Sequence, residues 1–249
     1  MRTANPALND KTFSGVFAAG DATAMTLTGT AVKTGLLLLF TVTASTFTWK
    51  QVQAGDLRMA IPLAIGGMIG GFIVALITVF RKQWSPVTAP LYAILEGLFL
   101  GAVSAIYDLR FPGTGIVGNA VGLTFGTLAC LLAAYVTGIV KPSENFKLGI
   151  VAATGGIMMV YLVSIVLRLF GIEIPLIHGS GWIGIGFSLF VVVIAALNLV
   201  LDFDFIEKGV ESRAPKYMEW YAGFGLLVTL VWLYLEILRL LAKLNSRRN

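Results

Sequence analysis

Seven long apolar segments follow one another along this chain of 249 residues, separated by short polar links. A helix needs about 20 predominantly apolar residues to cross the hydrocarbon core of a bilayer. Each segment is near that length, and its apolar residues are continuous instead of alternating, which disfavours a membrane β-barrel. The sequence therefore predicts an all-α integral membrane protein, a bundle of seven transmembrane helices with spans at 32–49, 60–80, 89–107, 115–140, 148–170, 182–205 and 223–243.

Charged residues make up only 12% of the chain, half of the ~25% that is usual in soluble domains. We therefore expect a polar N-terminal tail at 1–30, with room for an interfacial helix, and one seven-helix membrane domain at 31–249. The net charge of +5 comes from basic residues in links and tails, which is typical of membrane topology and does not indicate nucleic-acid binding. One cysteine and one histidine exclude an intrachain disulfide and argue against a zinc site.

The distribution of Lys and Arg over the links favours a cytoplasmic N-terminus, but the basic C-terminal tail then lies on the opposite side. A re-entrant seventh segment would return the tail to the cytoplasm. If the seventh segment does cross the membrane, the basic residues of the links determine the orientation and those of the tail do not.

Acidic residues inside the apolar segments are the next constraint, because a charge at the bilayer centre costs about 3 kcal/mol on insertion scales and usually has a function. Asp202 lies late in the sixth segment and shares a helical face with Asn198, four residues earlier. Asp204 is about 200° away from Asp202 on an ideal helix, and it lies nearer the end of the segment, where a side chain can reach water. We predict Asp202 as the buried site residue, with Asn198 and Asp204 as accessory residues.

Glu236 lies within the seventh segment, with Arg239 three residues later on the same face. Two interpretations remain open. Arg239 can neutralise Glu236 within the helix, as the i,i+3 spacing allows. Alternatively Glu236 faces Asp202 across the helix interface, and Arg239 reaches toward the helix end.

The third segment adds Glu96, a carboxyl in mid-span that needs a partner or a proton, and we include it as an accessory residue. Glycines four residues apart in three spans are expected to let helix backbones approach closely. They are Gly66, Gly67, Gly70 and Gly71 in the second span, Gly97 and Gly101 in the third, and Gly118, Gly122 and Gly126 in the fourth.

Three stretches resemble the transmembrane Bax inhibitor motif family, and the similarity covers essentially the whole chain. They are Leu201-Asp202-Phe203, residues 96–101 and residues 233–241. The N-terminal residues 25–29 are similar to those of a bacterial branch of the family, which implies a bacterial inner membrane.

The resemblance implies a central helix wrapped by the others and a pH-sensitive calcium leak, with no tightly bound cofactor. In this family an aspartate pair from spans six and seven holds the pore closed. Asp202 matches the first member, and Glu236, an acid one methylene longer, matches the second. Some members have an arginine that latches onto the pair, for which Arg110 and Arg168 are the candidate substitutes.

A carboxylate pair fits such a role physically. Two carboxylates close together in a low dielectric cannot both ionise cheaply, so they would share a proton, and protonation can bias a two-state helix arrangement. When ionised they would offer hard oxygen ligands to calcium, but fewer than the 6–8 of a tight site. Weak binding suits conduction, because ions must leave as well as enter.

Two other functions remain open. A proton-coupled transporter would use Glu96, Asp202 and Glu236 as a relay, with helices broken at glycines of the last two spans. A regulator without conduction would bind another membrane protein through its glycine faces. An enzyme is the weakest hypothesis, because the chain has no Gly-x-Gly-Asp run of an intramembrane aspartyl protease and no Ser–His pair at matching depth.

Overall fold

A computed structural model describes residues 24–171, 179 and 181–248, so most of the predicted N-terminal tail lies outside the described ranges. Within them 87% of the residues are helical and none lies in a strand. Seven of the described helices are long and apolar enough to span a membrane. They are α1 (Leu27–Gln53), α2 (Leu57–Phe80), α3 (Ser85–Arg110), α4 (Ile116–Val136), α5 (Glu144–Leu169), α6 (Trp182–Glu211) and α7 (Met218–Arg248).

The seven predicted spans all appear, in the predicted order, and the prediction of an all-α membrane protein is confirmed. The helices α6 and α7 extend past the predicted spans, because hydropathy marks the apolar part of a helix and not its polar ends. Each of the two is one uninterrupted α-helix. The breaks expected for a transporter, and a re-entrant turn in the seventh segment, are therefore not present along these two described helices.

Two helices begin where a hydroxyl side chain accepts a hydrogen bond from a free N–H group of the first turn. Thr26 accepts a hydrogen bond from the Gly29 N–H at the start of α1, and Ser143 accepts one from Phe146 N–H at the start of α5. Hydroxyl side chains are favoured at this position because the first turn of a helix has no internal acceptors. Local sequence thus determines where these two spans begin.

Internal contacts divide the chain into two compact units. Unit 1 contains Ile116–Phe203 and Thr229–Asn249, and so holds α4, α5, most of α6 and the larger part of α7. Unit 2 contains Asp204–Val228 together with the described residues up to Gly115, and so holds α1, α2 and α3.

Within unit 2, α3 packs against α1 and α2. Gly97 and Gly101 lie against the backbone of α1, where an added Cβ would collide with the carbonyl oxygens of Thr41 and Ser45. Gly67 approaches the backbone of α3 in the same way. The prediction that glycines of the second and third spans permit close helix contact is confirmed for these three.

The glycines of α4 differ. A Cβ added at Gly118, Gly122 or Gly126 would meet no other atom within 4 Å, so the expectation of close packing is wrong for this span. The helix instead buries Ile116, Ala120 and Thr124. Spacing tells which residues share a face, but it does not tell which face a neighbouring helix covers.

Unit 1 has an apolar cluster that joins α5 and α6. The cluster consists of the buried side chains of Ile157, Val191 and Ile194, and the partly buried Tyr161 and Trp232 pack against it. Trp232 brings α7 to the same cluster, so α5, α6 and α7 meet there. The predicted site residues Asn198, Asp202, Glu236 and Arg239 lie on α6 and α7.

Candidate functional site

Asp202 is a deeply buried acid on α6, with 1% of its surface exposed. Its side chain forms a hydrogen bond with Thr229 of α7, which is also buried. The other carboxyl oxygen, Oδ2, is buried and has no hydrogen-bond partner among the described residues. Buried polar atoms without a partner are rare in native proteins and call for a structural or functional reason.

Asn198 lies one helical turn before Asp202 and is buried as well. Its Nδ2 donates to Thr154 Oγ1 of α5 at 2.9 Å and to the Ile194 carbonyl at 2.8 Å. The amide therefore ties α6 to α5 on the face that carries Asp202. Asn198 holds the helix that positions the acid, and its donor group is already used.

Glu236 is buried to the same degree, at 2% exposure, but its carboxylate has several donors. Arg239 Nη1 lies 2.7 Å from Oε1 and 2.9 Å from Oε2, and Tyr161 OH of α5 lies 3.0 and 3.1 Å from the same two oxygens. Arg239 Nη1 also donates to Tyr161 OH, at 2.7 Å. Of the two interpretations of this face, the ion pair within the helix is the one observed.

Asp202 and Glu236 have different hydrogen-bond partners. The Asp202 contact on α7 is Thr229, which precedes Glu236 by seven residues, or about 10 Å along a helix axis at 1.5 Å per residue. Seven residues are close to two full turns, so Thr229 and Glu236 lie on one face of α7. Within unit 1 both acids therefore lie at one face of α7, at different heights along the helix axis. No hydrogen bond joins these two described carboxyls.

Asp204, predicted as an accessory residue, belongs to unit 2. It is partly buried and forms an ion pair with Lys208 one turn later, with an N–O distance of 2.7 Å. Lys208 is itself partly exposed, so this pair lies near the surface of its unit. Asp204 is therefore an ordinary i,i+4 ion-pair partner of Lys208, and its surroundings differ from those of the fully buried Asp202.

Glu96 also belongs to unit 2, on α3. It is partly buried, and its Oε2 lies 3.2 Å from the position that a Cβ on Gly71 of α2 would take. The absence of a side chain at Gly71 makes room for the carboxyl. Glu96 therefore lies at the contact of α2 and α3, where the sequence predicted a polar group inside a span.

The candidate latch arginines, Arg110 and Arg168, are both exposed. Arg239 is the arginine that contacts a predicted gate acid. Its position three residues after Glu236 made this contact predictable, whereas the choice of Tyr161 as the second donor depends on how α5 packs against α7. The prediction of site residues missed several polar residues of this region, namely Thr154, Tyr161, Ser188, Thr229 and Lys243.

A second group of charges in unit 2 was not predicted. Glu219, at the start of α7, is fully buried and accepts hydrogen bonds from the Thr26 N–H and hydroxyl, both at 2.9 Å. It also pairs with Lys33 and, at 3.0 Å, with Lys216. The carboxylate lies where a side chain on Gly29 would be, so the start of α1 is fastened to the start of α7.

Among the described residues there is no group of three or more His, Cys, Asp or Glu side chains that could hold a metal ion. Asp202 with Thr229 supplies few oxygen ligands compared with the 6–8 of a calcium site. A calcium ion held by so few ligands would bind weakly.

Seven apolar helices with ionisable groups buried between them define the chain as an integral multi-pass membrane protein. Comparison with protein families places it more narrowly. The family model described as Bax inhibitor 1 like matches residues 5–246, and the chain belongs to that family. A comparison with curated proteins found no match.

Proposed function

We propose that this protein is a pH-sensitive calcium leak channel in which Asp202 and Glu236 control the passage of ions. The observation that carries the proposal is the buried Oδ2 of Asp202, which has no hydrogen-bond partner in the described part of the chain. An ionised carboxylate in that place needs a compensating cation, and calcium prefers such hard oxygen ligands.

Protonation of Asp202 removes the negative charge that attracts the cation. The neutral carboxyl also has a different set of hydrogen bonds, which biases the packing of α6 against α7 at Thr229. Calcium flux should therefore rise with pH over the range in which Asp202 loses its proton. This direction follows from the attraction between a carboxylate and a divalent cation.

Glu236 has a different part in the proposed mechanism. Arg239 and Tyr161 compensate its charge in the observed arrangement, so it offers little to a passing ion. The Arg239 side chain is 38% exposed and can move toward water, which would free the Glu236 carboxylate. We propose that Arg239 moves away from Glu236 in this manner when the channel opens.

The test is calcium flux into proteoliposomes containing purified protein, measured at a series of pH values. Asp202→Asn should give a slow flux that does not depend on pH, because an amide resembles the protonated acid. Glu207→Gln is the matched control, since this exposed acid lies five residues later on the same helix. An unchanged pH response in Asp202→Asn would contradict the role of Asp202, and saturable, proton-driven uptake of a solute would favour the transporter instead.

We further propose that the protein lies in a bacterial inner membrane with its N-terminus in the cytoplasm, because the basic residues of the links favour that side. Reporter fusions at the two termini test this orientation. With seven spans, a cytoplasmic reporter signal is expected only at the N-terminus. The reverse pattern would contradict the proposal.

A further inference from the structure

Lys243 is a buried lysine of unit 1 that the proposed gate does not use. Only 6% of its surface is exposed, and its Nζ donates to the Gly184 carbonyl oxygen at 2.9 Å and to Ser188 Oγ at 2.8 Å. Ser188 is buried as well. Keeping an ammonium group inside a membrane protein is costly, and such residues usually mark an ion pathway.

Lys243 lies on the face of α7 that carries Glu236 and Thr229, the residue that bonds to Asp202. Thr229, Glu236 and Lys243 follow at intervals of seven residues, so they form a nearly straight row on the helix. From Thr229 to Lys243 the row covers fourteen residues, or about 21 Å at 1.5 Å per residue. Asp202 lies at one end of this row and the Lys243 ammonium at the other.

The helix α6 presents a corresponding row at spacings of three and four residues. It is polar at both ends and apolar in the middle, where the buried cluster with Ile157 lies. Its members are Gly184, Ser188, Val191, Ile194, Asn198 and Asp202. The two rows together form a seam within unit 1, with an acid at one end and an ammonium held by oxygens at the other.

We propose that the Lys243 ammonium occupies a cation-binding position in the ion pathway along this seam and so keeps the calcium leak slow. Carbonyl and hydroxyl oxygens, like those of Gly184 and Ser188, are ligands that hard cations accept in binding sites and selectivity filters. A fixed positive charge there repels a calcium ion arriving from Asp202. The inference rests on the proposed function, because it takes the seam as the route of the ion.

The ammonium can leave this position. Lysine carries its charge on a flexible four-carbon chain, and Lys243 is in the last two turns of α7, near the water-exposed helix end. On the same helix the charges of Arg239, one turn earlier, and Glu236, two turns earlier, act on it, and Arg247, one turn later, packs over the Trp182 ring. A movement of Lys243 toward the helix end would release the oxygens of Gly184 and Ser188 for a passing ion.

The test is the flux of calcium and of potassium into proteoliposomes for the wild type and four variants. Lys243→Gln removes the charge but keeps an N–H donor, and its calcium flux should be about tenfold faster, the change that a barrier lower by ~1.4 kcal/mol gives. Lys243→Arg keeps the charge and should stay near the wild-type rate. Ser188→Ala removes one of the two acceptors and should raise the flux. Lys50→Gln, an exposed lysine near the end of α1, is the matched control without effect.

The outcomes separate this inference from the proposed function. A wild type with pH-dependent calcium flux and an equally fast Lys243→Gln variant would overturn the blocking role of Lys243 and leave the leak standing. A wild type without calcium flux beside a conducting Lys243→Gln variant would support the blocking role and overturn the wild-type leak. No cation flux in either would overturn both. If Lys243→Gln does not purify as a monodisperse protein, Ser188→Ala decides: a flux equal to wild type would overturn the inference.

Discussion

Arg239 donates to both carboxylate oxygens of Glu236, which lies three residues earlier on α7, at 2.7 and 2.9 Å. Tyr161 OH donates to the same carboxylate. Asp202 has one such contact, with Thr229, and one buried oxygen without a partner among the described residues. The two acids that the family resemblance pairs therefore have different electrostatic surroundings, and they should respond differently to substitution.

Arg239→Gln should destabilise the protein, because it leaves the buried Glu236 carboxylate without its counter-charge. We expect the free energy of unfolding to fall by about 2–3 kcal/mol, below the range for fully buried pairs because Arg239 is partly exposed. Thermal unfolding in detergent measures the change. The double variant Arg239→Gln/Glu236→Gln should recover most of the loss, and a double variant as unstable as the sum of both single variants would contradict the coupling.

Asp202→Leu should stabilise the protein while it abolishes the pH response. Leucine removes the buried Oδ2 that lacks a partner, at the loss of the hydrogen bond with Thr229, and because the desolvation cost of the acid outweighs that bond we expect a gain of about 1–2 kcal/mol in the free energy of unfolding. The measurement is again thermal unfolding, beside Glu207→Gln as the control. A lower melting temperature than wild type would show that Asp202 holds the fold together.

Gly101→Ala should destabilise unit 2, because the new Cβ would collide with the Ser45 carbonyl of α1. Overpacking of this kind typically costs about 1–3 kcal/mol. Gly118→Ala on α4 is the matched control, since it meets nothing within 4 Å and should be neutral or stabilising by up to about 1 kcal/mol. Equal effects of the two substitutions on the melting temperature would contradict the close contact of α1 and α3.

Glu219→Gln should loosen the start of α1. The amide loses the ion pairs with Lys33 and Lys216 and leaves the largely buried Lys33 ammonium without its counter-charge, at a cost of about 3 kcal/mol. Hydrogen exchange of the first turn of α1 and thermal unfolding measure the effect. Glu211→Gln, an exposed acid of α6, should change neither. Unchanged protection of the Thr26 amide in Glu219→Gln would contradict the fastening role.

Much of the fold could be predicted from the sequence, because the cost of unsatisfied backbone groups in lipid allows few structures for a run of 20 apolar residues. The burial of Asp202 and Glu236 followed from the same cost. The partners of these acids could not be predicted so well. The i,i+3 spacing made the contact of Arg239 with Glu236 predictable. Tyr161 and Thr229 become partners of the acids, and Ser188 a partner of Lys243, only through the packing of α5, α6 and α7.

The glycines illustrate the same limit. The four-residue spacing is identical in the third and fourth spans, yet Gly97 and Gly101 face α1 whereas Gly118 and Gly122 face open space. Spacing defines a face, and the arrangement of neighbouring helices decides whether that face is covered. Glu219 escaped prediction because it lies beyond the apolar run, where a charged residue is expected to be solvated.

Calcium flux as a function of pH, compared between wild-type protein and Asp202→Asn in proteoliposomes, decides whether Asp202 controls conduction. The flux should rise with pH in the wild type and stay slow and independent of pH in the variant. A variant that follows the wild-type curve would show that the buried carboxyl of Asp202 does not control the passage of ions.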